Sequence, residues 1–146
     1  MYRGTKPRSL ISIAILIIFI LPANPLKAWA HASAEINNVL SDKGHIVLYL
    51  YENKTSFKKF NPDRIYKKVA TMGITIIPID DYHEGDVAIF VFHDENSDEE
   101  FNTSIFWTPK EGYAYSNSYI PTSIPKYEEA LFRLEHGVAV NLELIY

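Results

Sequence analysis

Apolar and polar positions along this chain alternate in short blocks, and each block predicts one element. Residues 45–52 (HIVLYLYE) are dense in β-branched and aromatic side chains, lie between Gly44 and the polar Asn53-Lys54, and predict a strand. Asn61-Pro62-Asp63 has the form of a helix start, with Asn61 as cap and Pro62 at the first helical position. Ile65, Val69 and Met72 then recur at helical spacing, and Gly73 supplies a stop. Residues 74–80 and 86–93 predict two more strands. The second is apolar on both alternating faces from Val87 to Phe92, as expected for a central strand covered on both sides. Pro78 cannot donate to a ladder, which places the end of the first at a sheet edge or bulge.

Further along, residues 101–108 and 113–120 flank Pro109-Lys110-Glu111-Gly112 and predict a hairpin. Pro125 opens a second helix whose apolar stripe is Tyr127, Ala130, Leu131 and Leu134. Glu128 and Glu129 lie near its start, Arg133 and His136 near its end, and Gly137 stops it, the charge order that a helix dipole favours. Residues 138–146 alternate as a half-buried strand, and a short helix is expected near Ile36 to Leu40. The order β-α-β-β-β-β-α-β predicts an α+β domain with a single mixed sheet of about six strands and two short amphipathic helices.

Ahead of this domain, Arg3, Lys6 and Arg8 precede a twelve-residue run of uncharged, mostly apolar residues, 10–21, and then Pro22. The run is short for a bilayer span, which needs about 20 residues. Small-x-small patterns follow at Ala28-Trp29-Ala30 and at Ala32-Ser33-Ala34. The segment predicts a cleavable export signal over residues 1–30, with cleavage after Ala30 or after Ala34, followed by one globular domain over 35–146. An exported domain without cysteine must be held by packing rather than disulfides, which suits a periplasmic or secreted bacterial protein.

Removing the leader changes the electrostatics. The whole chain has 14 basic and 18 acidic residues and a net charge of -4. Four of the basic residues and none of the acidic ones lie in residues 1–34, so the remainder carries ten against eighteen and stands at -8. An acidic domain of this kind is a poor nucleic-acid binder. Charge is also segregated: six basic residues fall between Lys54 and Lys68, and nine acidic ones, with no basic residue among them, between Asp80 and Glu100. Either segment is a solvated face or one pole of a field that steers a charged partner.

Within the acidic segment Asp94, Asn96 and Asp98 repeat the D-x-N-x-D opening of a calcium loop. The sixth position holds Glu99 instead of Gly and the twelfth Ile105 instead of Glu, so the match supports only weak Ca²⁺ binding. His83 and His93 have the donor chemistry for a transition metal, but they fall at opposite ends of one predicted strand and do not share an ion. There is no H-E-x-x-H, G-x-S-x-G, P-loop or dinucleotide fingerprint, and no cysteine nucleophile.

The aromatic residues of the predicted hairpin, Phe106, Trp107, Tyr113, Tyr115 and Tyr119, stand beside Ser116, Asn117 and Ser118. Such a mixture makes an adaptable contact surface, or else the rings cover the core and pair across strands. The function expected is therefore a small exported acidic binding domain that recognises a protein partner, with basic character in that partner, through these aromatics and the acidic loop. An envelope inhibitor or immunity-type protein fits that description. A small secreted hydrolase or a carbohydrate-binding domain is the alternative, and a subunit of an envelope assembly the third reading.

Overall fold

The computed structural model of the chain describes Met1, residues 31–105 and residues 108–146. The predicted leader over residues 2–30 lies outside these, as do Phe106 and Trp107. The elements in chain order are β1 (Ala32–Val39), β2 (His45–Tyr51), α1 (Lys54–Lys58), β3 (Arg64–Val69), β4 (Gly73–Ile79), β5 (Gly85–Asp94), β6 (Tyr113–Tyr115), a 3₁₀ turn (Ser116–Ser118), α2 (Tyr127–Ala130), β7 (Leu131–Leu134) and β8 (Ala139–Glu143). The α+β class stands, with eight strands and two short helices among the described residues. No helix among them is long and apolar enough to cross a membrane.

The strands form two sheets where one was expected. One has the order β4-β1-β8; the other has the order β3-β2-β5-β6, with β7 also paired to β5. They pack face to face over an aliphatic core that draws Ala34, Ile36, Ile77, Ile79 and Leu142 from the first and Ile46, Leu48, Leu50, Val87, Ile89 and Val91 from the second. Burying each such side chain contributes about 1.5–3 kcal/mol. β5 is buried on both faces, as its sequence predicts. Its Ala88, Phe90 and Phe92 point away from the aliphatic core into a second cluster with Tyr51, Phe57, Tyr115 and Ala130.

Three predicted elements change identity. Residues 64–69 form β3, antiparallel to β2 with His45 opposite Val69 and Leu50 opposite Arg64. Ile65 and Val69, the apolar stripe of the expected helix, are 61% and 64% exposed. The helix in this region is instead α1, capped by Asn53, whose side-chain oxygen accepts from the Thr55 and Ser56 amides at 3.0 Å each. Asp63 accepts from the Glu52 amide at 2.7 Å and the Ser56 hydroxyl at 2.6 Å, so the polar groups of the expected cap hold a turn.

The short helix expected near Ile36 is part of β1, where Ala32, Ala34 and Ile36 face the core between outward Ser33, Glu35 and Asn37. The second helix lasts only four residues. The chain then extends as β7, because the stretch Gly85–Ala88 of β5 offers an unpaired edge, and a strand there satisfies it. Pro78 lies on β4, an edge strand of its sheet, as its missing amide requires.

Candidate functional site

β5 ends at Asp94, and the eighteen residues from Glu95 to Gly112 return the chain to β6. The base of this connection is buried. His93 is fully enclosed, with Nε2 2.8 Å from the Lys43 carbonyl and Nδ1 2.8 Å from the Tyr146 hydroxyl. The carbonyl can only accept, so Nε2 carries the proton, and the tyrosine donates to Nδ1 while accepting from the Leu40 amide at 3.2 Å. Both ring nitrogens are occupied, one by Tyr146 and the other by the Lys43 carbonyl before β2, which makes His93 a structural residue.

Asp94 is also fully buried, and its two carboxylate oxygens accept from the amides of Asp98 and Glu99, each at 3.1 Å. Asn96 adds a third fixing point, accepting from the Asp98 amide at 3.2 Å and donating to Asp98 Oδ2 at 2.7 Å and Asn102 Oδ1 at 2.9 Å. Glu111, on the far side of the loop, accepts from the Asn102 amide at 2.9 Å. Ser97 and Glu99 take left-handed backbone conformations, with φ of 61° and 65°. Glu99 is the sixth position of the calcium-loop pattern, where the sharp turn usually needs glycine. The turn is made here without glycine, and its side chain is held by Lys67 Nζ at 2.8 Å.

Of the sequence-predicted cation ligands, Asp94 and Asp98 are brought together and Asn96 braces them. The twelfth position offers no ligand, since Ile105 stands 93% exposed there. The third carboxylate beside them is Glu111. One carboxylate oxygen from each of Asp94, Asp98 and Glu111 lies within 4.8 Å of the others. Carboxylates at this spacing offer oxygen donors of the kind that Ca²⁺ takes. Burial pushes the Glu111 carboxyl upward, with Asp94, Asp98 and Glu95 adding to the shift against the opposing Asn102 hydrogen bond. Asp98 moves the other way, held down first by the Glu100 amide and then by the Asn102 and Asn96 side chains.

The predicted hairpin does not form between residues 101–108 and 113–120. Tyr113–Tyr115 pairs with Phe90–Phe92 of β5, and the strand then stops in the 3₁₀ turn. Ser116 pins it there: its hydroxyl accepts from the Ile89 amide at 2.8 Å and donates to the Ala130 carbonyl at 2.5 Å. Tyr115 is 7% exposed and its ring lies 4.8 Å from Phe90. Tyr113 is half-buried against Phe101 and Phe90, and half-buried Tyr119 packs against Tyr115 at 5.8 Å. These tyrosines form the cover of the outer face of β5, and Phe101 ties the loop to it at 5.0 Å from Phe90.

The segregated charges also meet within the molecule. Besides Lys67 with Glu99, Arg64 bonds Glu52 at 2.9 Å and Asp81 at 2.7 Å, and Lys54 pairs with Glu128. A groove of about 630 Å³ between α1 and α2 is lined by Lys54, Lys58, Phe60, Ile124 and Tyr127 among others, and no histidine lines it among the described residues.

A family model described as "Uncharacterized protein conserved in bacteria (DUF2141)" matches residues 34–141. The chain belongs to this family. The DUF2141 match takes in both sheets, the whole 95–112 loop and all three clustered carboxylates. No curated protein and no solved structure matches the chain.

Proposed function

We propose that this DUF2141 chain is an exported binding module that recognises a protein partner through the end of the sandwich built by residues 95–112. The observation that supports this most is the construction of that loop. Connections of more than about 12–15 residues are uncommon in compact domains and serve function when ordered, and here Thr103 bridges Pro109, with the Ser104 amide donating to the Thr108 carbonyl at 2.7 Å and the Lys110 amide to the Asn102 carbonyl at 3.0 Å. This one is fixed at its base by Asp94 and Glu111, and it carries an isoleucine into solvent at its tip. Ordering in advance lowers the entropic cost of association. The exposed acids Glu95, Asp98 and Glu100 favour a basic surface on the partner. A Ca²⁺ ion among Asp94, Asp98 and Glu111 relieves the repulsion at the base of the loop and acts as its clamp.

A photo-crosslinking side chain at position 105 tests the reading in envelope preparations, with the same group at exposed Ile65 as the control. A discrete adduct from position 105 that is absent from position 65, and that is reduced by Asp94→Ala, is the expected result. Equal labelling from both positions, or none from 105, contradicts it. Calorimetric titration with CaCl₂ addresses the clamp: heat at millimolar Ca²⁺ that Glu111→Gln abolishes is expected, and silence removes the cation from the account.

A further inference from the structure

At the end of the sandwich opposite the 95–112 loop, His136 has two more of the chain's five histidines beside it, His31 and His83. The ring of His136 lies 5.6 Å from that of His31 and 6.1 Å from that of His83, centroid to centroid. They come from three separated places that the sheet topology unites. β1 is the central strand of its sheet, and His31 immediately precedes it. β4, on one side, places Ile79 opposite Ala32, and His83 follows in the crossing to β5. β8, on the other side, places Ala139 beside Ser33, and His136 precedes it in the turn from β7. That turn is closed by the Val138 amide donating to the Glu135 carbonyl at 3.3 Å, with Gly137 at φ 73°. His136 is thereby held at its corner, while His31 and His83 are exposed.

The position of His31 gives this cluster further significance. Of the two cleavage patterns, the one ending at Ala34 would remove Ala32 and Ala34. These are buried core residues paired with Ile79 and Ile77 of β4, and Ala34 is paired also with Val140 of β8. The pattern ending at Ala30 leaves β1 whole, and it makes His31 the first residue of the mature chain. An amino-terminal histidine offers two nitrogens, its α-amine and its imidazole, in one chelate.

We propose that the mature chain binds Cu²⁺ through the α-amine and imidazole of His31 together with the imidazoles of His136 and His83. Nitrogen donors in a tetragonal arrangement suit Cu²⁺, which also stands highest among the divalent first-row metals in affinity for such ligands. Metal–nitrogen bonds near 2.0–2.1 Å bring the centroids of adjacent imidazoles to roughly 5 Å from each other. The observed 5.6 and 6.1 Å exceed this, so binding requires the exposed rings of His31 and His83 to turn toward His136 and toward each other. The inference rests on export and on cleavage, not on the 95–112 loop.

Two measurements test it. Amino-terminal mass spectrometry of the exported protein should find His31 first. A mature chain beginning at Glu35 overturns the copper site while leaving export intact, and an uncleaved leader overturns both. The chain 31–146 is then titrated with Cu²⁺ alone against a competing chelator, followed by electron paramagnetic resonance. One equivalent with nitrogen hyperfine structure is expected. Nα-acetylation, which removes the amine and keeps the ring, should weaken binding by about a hundredfold or more, since a chelate loses its second arm. His31→Ala, which keeps the amine and removes the ring, should do likewise, and His136→Ala should alter the spectrum and lower affinity at least about tenfold. No binding by the chain 31–146 overturns the proposal. Acetylated and His136→Ala chains indistinguishable from the parent also overturn it.

Discussion

The two ends of the sandwich are built by different means. At the end where β5 stops, side chains determine backbone: Asp94 and Glu111 accept main-chain amides, Asn96 and Asn102 interlock with Asp98, and Phe101 anchors the segment to Phe90. At the other end, backbone determines side chains. His31 and His83 come beside His136 because β1, β4 and β8 are in register, and two of the three rings are exposed. A site of the first kind is inseparable from folding. A site of the second kind can be altered with the fold left alone, and that difference is what substitutions at each end will expose.

The largest loss is expected at Phe90. Phe90→Ala should cost about 3–5 kcal/mol in urea denaturation, because it empties the centre of the aromatic cover and removes one of the rings that Phe101 packs on. Next comes Asp94→Ala, which removes the carboxylate that accepts the Glu99 amide and one of the two acceptors of the Asp98 amide, and should cost about 2–3 kcal/mol. The opposite end supplies the contrast: His83→Ala should change stability by less than about 0.5 kcal/mol, being an exposed substitution. A loss at His83 as large as that at Asp94 would end the distinction between the two ends.

A subtler effect concerns acidity. Burial raises the Glu111 carboxyl above the ordinary glutamate value, so the folded protein holds this proton more tightly than the unfolded chain does. Its contribution then favours the folded state at low pH and is lost as pH rises past the unfolded and then the folded value. Glu111→Gln keeps an oxygen acceptor for the Asn102 amide and removes the charge. The variant should gain stability relative to the parent as pH rises through the ordinary glutamate value and on through the raised folded one, and millimolar Ca²⁺ should narrow the gap. A gap that is constant with pH would show that neither burial nor its acidic neighbours shifts Glu111 on folding. The smallest effect is assigned to Lys67→Ala, below about 0.5 kcal/mol and smaller still in salt, since its pair with Glu99 lies at the surface.

How much of this is legible in the sequence depends on the range of the contacts. β5 and β2 can be read directly because their side chains alternate between two buried surfaces. Residues 64–72 mislead because Ile65, Val69 and Met72 fit a helical stripe by accident of spacing; all three are exposed, and hydrogen bonding to β2 decides the conformation. The α2–β7 boundary is hidden for a related reason. Ala130 and Leu134 are both buried, but against opposite faces of the same sheet.

At the loop, Asp94 and Asp98 are recognisable from local spacing, whereas Glu111 is brought in by the return of the chain to β6 and follows no local repeat. Its position next to Gly112, whose carbonyl accepts the His93 amide at 2.8 Å, is the signal that a pairing of β5 with residues 112–115 would have carried. The histidine cluster leaves still less trace. His31 falls among residues that read as a leader, and His83 and His136 stand far apart until the strands are in register.

The central claim is that the described residues of the connection, 95–105 and 108–112, are a prebuilt recognition element and not slack chain, and hydrogen exchange at single-residue resolution tests it most directly. The amides of Asp98, Glu99 and Asn102, each bonded to a carboxylate, should exchange at rates within about tenfold of those of β5, and Asp94→Ala should release the first two selectively. Exchange of all three at the rate of an open chain, with β5 still protected, would contradict the account.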